Sequence, residues 1–186
     1  MTAEELLERY AAGERDFSGI RLKYADLRGK DLRGINLQNA ELQGCNFSET
    51  NLSRANLKKS GLADAEFIGS ILVQTDLSDT RCSLTDFSHT DLTQSNLMGI
   101  SCDRAGFREA NLTGAYLSNA VIYSSSFNGA NLTGANLCGA YACDTRFRGT
   151  NFTNADLTDT EWEDIVIDGA IFKNTTIPSF IFDEDE

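Results

Sequence analysis

The sequence predicts an all-β solenoid: about eight four-sided coils stacked into a rod, closed at its N-terminal end by a short capping α-helix. Three observations carry this. Residues of one series, nearly all large and apolar, recur at every fifth position from Phe17 to Ile177, 33 positions without an insertion. Within that series phenylalanine recurs at every twentieth position, at 47, 67, 87, 107, 127 and 147. Ahead of it, Thr2 and Glu5 have the spacing of a capping box, with Leu6, Leu7, Tyr10 and Ala11 following at helical spacing.

The N-terminal element comes first. The capping box starts a helix, Gly13 is a suitable stop, and the spacing predicts a helix over residues 2–13 lying across the first coil. We therefore divide the chain into a capping segment 1–14, a repeat body 15–177 and a C-terminal tail 178–186. A solenoid needs such ends, because an open coil leaves unpaired backbone exposed to association.

The repeat body follows. A five-residue period fits neither a helix nor a plain strand. Two residues before each large apolar position lies a second series of mostly small residues, among them Ala25, Ala40, Cys45, Thr50, Ala55 and Ala65. Positions two apart share one face of an extended segment, so both series point inward and the other three residues face water. Glycine is common in the last position, as at Gly29, Gly34, Gly114 and Gly134, where a corner with positive φ costs it little. Each unit is then a short extended piece and a bend. The 20-residue recurrence of Phe makes four units one coil and turns each inward column into a stack of like residues. At the spacing of neighbouring strands the rod is roughly 40 Å long. Arg15 and Lys30 fall in the inward phase. At the far end Pro178 halts pairing, Phe180, Ile181 and Phe182 offer a lid or a contact between two copies, and Asp183–Glu186 is acidic.

The Ala-(Asp/Asn)-Leu-x-x pattern, seen in Ala25-Asp26-Leu27 and Ala130-Asn131-Leu132, resembles the pentapeptide-repeat family over nearly the whole chain. The resemblance implies a right-handed quadrilateral parallel β-helix. It also implies functions in binding, with no catalytic residues to carry over. Some members of that family inhibit a type II topoisomerase (gyrase) by mimicking DNA.

Composition excludes several classes. Net charge is −12, and the segment through Glu14 contributes −3 of it while Asp183–Glu186 contributes −4. So acidic a chain is not expected to bind nucleic acid directly. No apolar run approaches the roughly 18 residues of a membrane span, and the first residues lack the basic and apolar regions of a signal peptide, so a cytoplasmic protein is expected. The five cysteines (45, 82, 102, 138 and 143) include no Cys-x-x-Cys pair, so neither a zinc site nor a disulfide framework is indicated, and no cofactor is expected. The lone His89 falls at an outward corner, and no nucleophile, phosphate loop or paired carboxylate site accompanies it, so no enzyme is expected.

One inward column departs from Leu and Phe. It reads Leu22, Leu42, Leu62, Cys82, Cys102, Ile122, Ala142, Trp162. Cys82 and Cys102 fall one coil apart, within disulfide range, yet free core thiols are the expectation in a reducing compartment. Trp162 is expected to fill space left beside Ala140 and Ala142. Outside this column, apolar residues occupy positions that are otherwise polar: Leu84, Val121, Tyr123 and Tyr141, with Tyr116 at the adjacent corner. Such a cluster is either a binding surface or a stabilising ladder. A third face carries Thr93, Thr113, Thr133 and Thr153 in register beside Asn111, Asn131 and Asn151. These are ordinary strand and turn residues, though a regular hydroxyl array could template ice. The leading functional expectation is a non-catalytic scaffold for protein–protein interaction or regulation. DNA-mimicking topoisomerase inhibition is the alternative, and a homodimer through Phe180, Ile181 and Phe182 is a further expectation.

Overall fold

The computed structural model describes residues 1–177. The expected tail, and with it the contact through Phe180, Ile181 and Phe182, lies outside the described residues.

Helix α1 spans Ala3–Ala11. It is shorter than the expected 2–13 because Thr2 serves as the N-cap and Ala12 as the C-cap. Thr2 is extended (φ −90, ψ 169) and its hydroxyl accepts from the Glu5 amide at 3.2 Å, while the Glu5 carboxylate accepts from the Thr2 amide at 2.8 Å. Beyond Ala12 the chain leaves the helix through Gly13 at φ 98. Leu6 is fully buried, Tyr10 Oη donates to the Arg33 carbonyl at 2.9 Å, and the Arg9 guanidinium lies 5.3 Å from the Phe17 ring centroid. The helix thus seats on the first coil with one aliphatic anchor, one polar anchor and one cation–π contact.

The body is a right-handed β-helix whose coils repeat every 20 residues, seen as parallel bridges such as Asn36↔Asn56, Asn56↔Asp76 and Asp76↔Asn96. The sequence motif explains each unit. The Asp or Asn before the inward residue turns its side-chain oxygen back onto the amide two residues on. Examples are Asn51 accepting from Ser53 at 3.0 Å and Asn111 from Thr113 at 3.2 Å. The inward residue's carbonyl accepts from the amide three residues later, as Leu52 does from Ala55 at 2.9 Å. The residue before that amide takes positive φ. Glycine does so at Gly34 (φ 67), but bulkier residues do so too, including Tyr24 (φ 58) and Leu84 (φ 56). The corner is therefore a demand of the fold rather than a preference of glycine.

Inside, the six expected phenylalanines form one buried stack. Successive ring centroids from Phe47 to Phe147 lie 5.0, 4.9, 4.9, 4.5 and 5.2 Å apart. Above Phe147 the stack passes to Trp162, centroid 5.2 Å and 15° from parallel. Trp162 reaches across the core from its own column, where it sits in register with Ala142, so the small residue below it frees the space. Threonines at the inward small position are also buried, and their hydroxyls donate to backbone carbonyls, either of the preceding coil, as Thr50 to Leu27 at 2.7 Å and Thr75 to Leu52 at 2.8 Å, or of their own, as Thr80 to Leu77 at 2.6 Å. No polar penalty follows from placing them there.

Arg15 and Lys30 depart from expectation. Both are exposed although they stand in the inward phase. The first coil has no earlier coil to enclose its small positions. Arg15 instead lies flat on the Tyr10 ring, 3.8 Å from its centroid, and donates to the carbonyls of Tyr10 and Glu14 at 2.8 Å.

Candidate functional site

Most units touch their neighbours through single bridges, but the column that departs from Leu and Phe builds regular strands. These are β1 (Ser101–Asp103), β2 (Val121–Tyr123), β3 (Tyr141–Cys143) and β4 (Glu161–Glu163), joined in order as a parallel sheet. The register is direct: Cys102↔Ile122, Ile122↔Ala142 and Ala142↔Trp162. Val, Ile, Tyr and Trp are strong strand formers, and their concentration here supplies the local reason. The corner after β1 is also held differently, with the Ala105 amide donating to Ser125 Oγ at 3.1 Å.

The candidate apolar residues occupy this sheet unevenly. Val121 and Tyr141 are in-register neighbours and both are half-buried, rather than exposed as expected. Tyr123 is 43% exposed, and its ring centroid lies 5.4 Å from that of Tyr141 with the planes 60° apart. Tyr141 Oη donates to Glu163 Oε2 at 2.9 Å, and that carboxylate holds the phenol proton well above its usual range. Leu84 is exposed, but the coil carrying the Asp103–Arg104 ion pair (3.2 Å) separates it from Tyr123. Tyr116 is exposed on the adjoining face, bridged between Asn96 and Asn136. The tyrosine pair and Val121 thus form one contiguous patch, with Leu84 and Tyr116 at its margins.

Two features escaped the sequence reading. Tyr24, on the same face and in the same corner position as Leu84, is 80% exposed and its ring lies over Gly44. The 20-residue register alone could have placed it. The second is a groove of about 720 Å³ at the N-terminal end, lined by Tyr10, Arg15, Arg33, Asn51, Arg54 and Gln74 among others. It depends on how α1 meets the first coils, which spacing does not reveal. Arg33 is paired with Asp31 at 2.6 Å, whereas Arg54 donates to Gln74 at 3.2 Å.

The other candidates are consumed locally. His89 stands at a corner (φ 58) beside Glu109 at 3.4 Å. The hydroxyls of Thr113, Thr133 and Thr153 each donate to the Asn two residues earlier at 2.6 Å, so that face presents a closed ladder rather than an open hydroxyl array. Cys82 and Cys102 are buried free thiols. Among the described residues, no group of three or more His, Cys, Asp or Glu could hold a metal ion, and no helix is long and apolar enough to cross a membrane. Several surface carboxylates are paired with neighbouring basic groups. The Arg28 guanidinium holds the Asp26 carboxyl down at about 2, and Lys23 with Arg21 lowers that of Glu41.

Comparison with known proteins places this geometry. The family model for pentapeptide repeats, in eight copies, matches segments spanning residues 16–177. No curated sequence relative matches the chain. Among solved structures the chain is similar to HetL, a pentapeptide repeat protein involved in heterocyst differentiation regulation from the cyanobacterium Nostoc sp. strain PCC 7120. That match has 24% identity over 95% of this chain and 94% of that one, TM-score 0.47. It is also similar to trypsin-treated QnrB1, a plasmid-mediated fluoroquinolone resistance protein, with 22% identity over 90% and 88%, TM-score 0.49. A pentapeptide repeat protein from the Arabidopsis thaliana thylakoid lumen is 32% identical over 61% and 68%, TM-score 0.38. With the repeat matched across all its coils and each unit built as the motif requires, the chain belongs to the pentapeptide repeat family.

Proposed function

We propose that this protein is a non-catalytic scaffold or regulator that binds a protein partner over the β1–β4 face. Tyr123, Tyr141 and Val121 form the centre of the contact, and Leu84 and Tyr116 lie at its margin. The observation that carries this reading is the tyrosine pair: two aromatic rings in contact, one of them 43% exposed, on a face whose outward positions are otherwise mostly polar. Aromatic anchors on a rigid, flat surface lose little side-chain entropy when a partner covers them, which is why they dominate interface energetics. Affinity capture with the Tyr123→Ser, Tyr141→Ser double variant tests it. Loss of the captured partner with the fold intact supports the contact; unchanged capture removes it.

DNA mimicry draws less support, because arginines interrupt the acidic surface. Asp26 pairs with Arg28 at 2.6 Å, Glu41 with Arg21 at 3.0 Å and Asp168 with Arg148 at 3.0 Å. These pairs lower the negative surface potential on which duplex mimicry depends. A supercoiling assay separates the readings: salt-sensitive inhibition of gyrase at sub-micromolar protein would favour mimicry.

A further inference from the structure

We propose that Cys82 and Cys102 form a modification site, a buried dithiol that a hydroperoxide converts into a disulfide stapling two successive coils. The bridge Arg81↔Ser101 brings the following residues, Cys82 and Cys102, side by side on adjacent coils. Their sulfurs lie 2.7 Å apart, and both side chains are buried. The spacing of neighbouring strands, about 4.8 Å, falls within the Cα separation a disulfide spans. The remaining thiols are placed elsewhere. Cys45 Sγ donates to the Leu22 carbonyl, and Cys138 and Cys143 sit half-buried at outward positions. Among the described residues no third ligand makes a metal site of the pair.

The reaction balances with one equivalent of peroxide. One thiolate attacks the O–O bond, which breaks to give a sulfenic acid and, after protonation, water or an alcohol. The second sulfur then attacks the sulfenic sulfur. The S–S bond forms, the S–O bond breaks, and a second water leaves. Two electrons pass from the sulfurs to the peroxide. Burial raises the Cys82 thiol well above its usual range, so thiolate is scarce and the step is slow, proceeding through local opening of the coil. The same burial shields the finished disulfide from reductants.

The test uses the full chain with Cys138→Ser and Cys143→Ser, incubated with hydrogen peroxide. Removing two of the five cysteines leaves three. Thiols titrated in denaturant are expected to fall from three to one, non-reducing peptide mapping to recover a Cys82–Cys102 link, and the melting temperature to rise by several degrees because the unfolded chain is constrained. Adding Cys102→Ser removes the link and the rise; Cys102→Ala serves if the serine variant does not fold. Three titratable thiols after treatment, or sulfinic acids without a link, overturn the site. A link with no rise in melting temperature overturns the staple.

Discussion

Tyr141 packs against Tyr123 at 5.4 Å and donates its hydroxyl to Glu163 Oε2 at 2.9 Å, so the two rings of one patch are held differently. One is tied to the next coil. The other has no hydroxyl partner among the described residues and stays 43% exposed. Binding and stability should therefore divide between them. Tyr123→Ser is expected to leave the melting temperature nearly unchanged and to weaken partner capture by about tenfold or more, the loss of one interface anchor. Tyr141→Phe should lower the melting temperature measurably while retaining most capture. Thermal melts paired with capture assays check both, and a large melting shift for Tyr123→Ser would make it a packing residue.

Phe107 is stacked between Phe87 at 4.9 Å and Phe127 at 4.5 Å, fully buried. Phe107→Ala should cost about 3–5 kcal/mol, because adjacent coils cannot close on the void without breaking their bridges. Urea unfolding measures this. A cost near zero would mean the column relaxes freely, against the rigidity the stack implies.

Leu84 holds φ 56 while 49% exposed, so it carries corner strain and returns little burial. Leu84→Gly should stabilise the rod by up to about 1 kcal/mol, the relief of left-handed strain less the greater freedom of glycine when unfolded. Capture should fall modestly if Leu84 lies at the edge of the contact. A drop in melting temperature would show that its side chain packs more than its exposure indicates.

The carboxylates of Asp26, Asp31 and Glu41 are lowered by neighbouring guanidinium or ammonium groups. Their folded-state pKa values are depressed, so their contribution is present above the unfolded value and is lost as pH falls. For Asp26 that window runs from 3.8 down to about 2. Melting temperature is expected to be flat from pH 8 to about 5 and to decline below about 4. Asp26 and Asp31 are exposed and Glu41 partly so, and all three are screened by solvent, so added salt should blunt the decline.

The periodic part of this protein was legible in its sequence. The five-residue apolar series from Phe17 to Ile177, the 20-residue recurrence of Phe47 through Phe147 and the Thr2–Glu5 capping box foretold the units, the coil and the helix. Each is set by contacts at fixed sequence separation, which a pattern can encode. The apolar positions on the Cys82–Trp162 column were visible too, as exceptions against a regular background.

Only the tertiary structure decided what those exceptions do. It showed that Tyr141 is tethered and half-covered while Tyr123 is open, that Arg104 and Asp103 separate Leu84 from them, and that Arg15 leaves the inward phase to lie on Tyr10. It also turned the thiols of Cys82 and Cys102 toward each other. The reason is physical. Periodicity fixes which face a residue occupies, whereas its exposure and partners depend on the rotamers and bulk of side chains one coil above and below, and those act through space rather than along the chain.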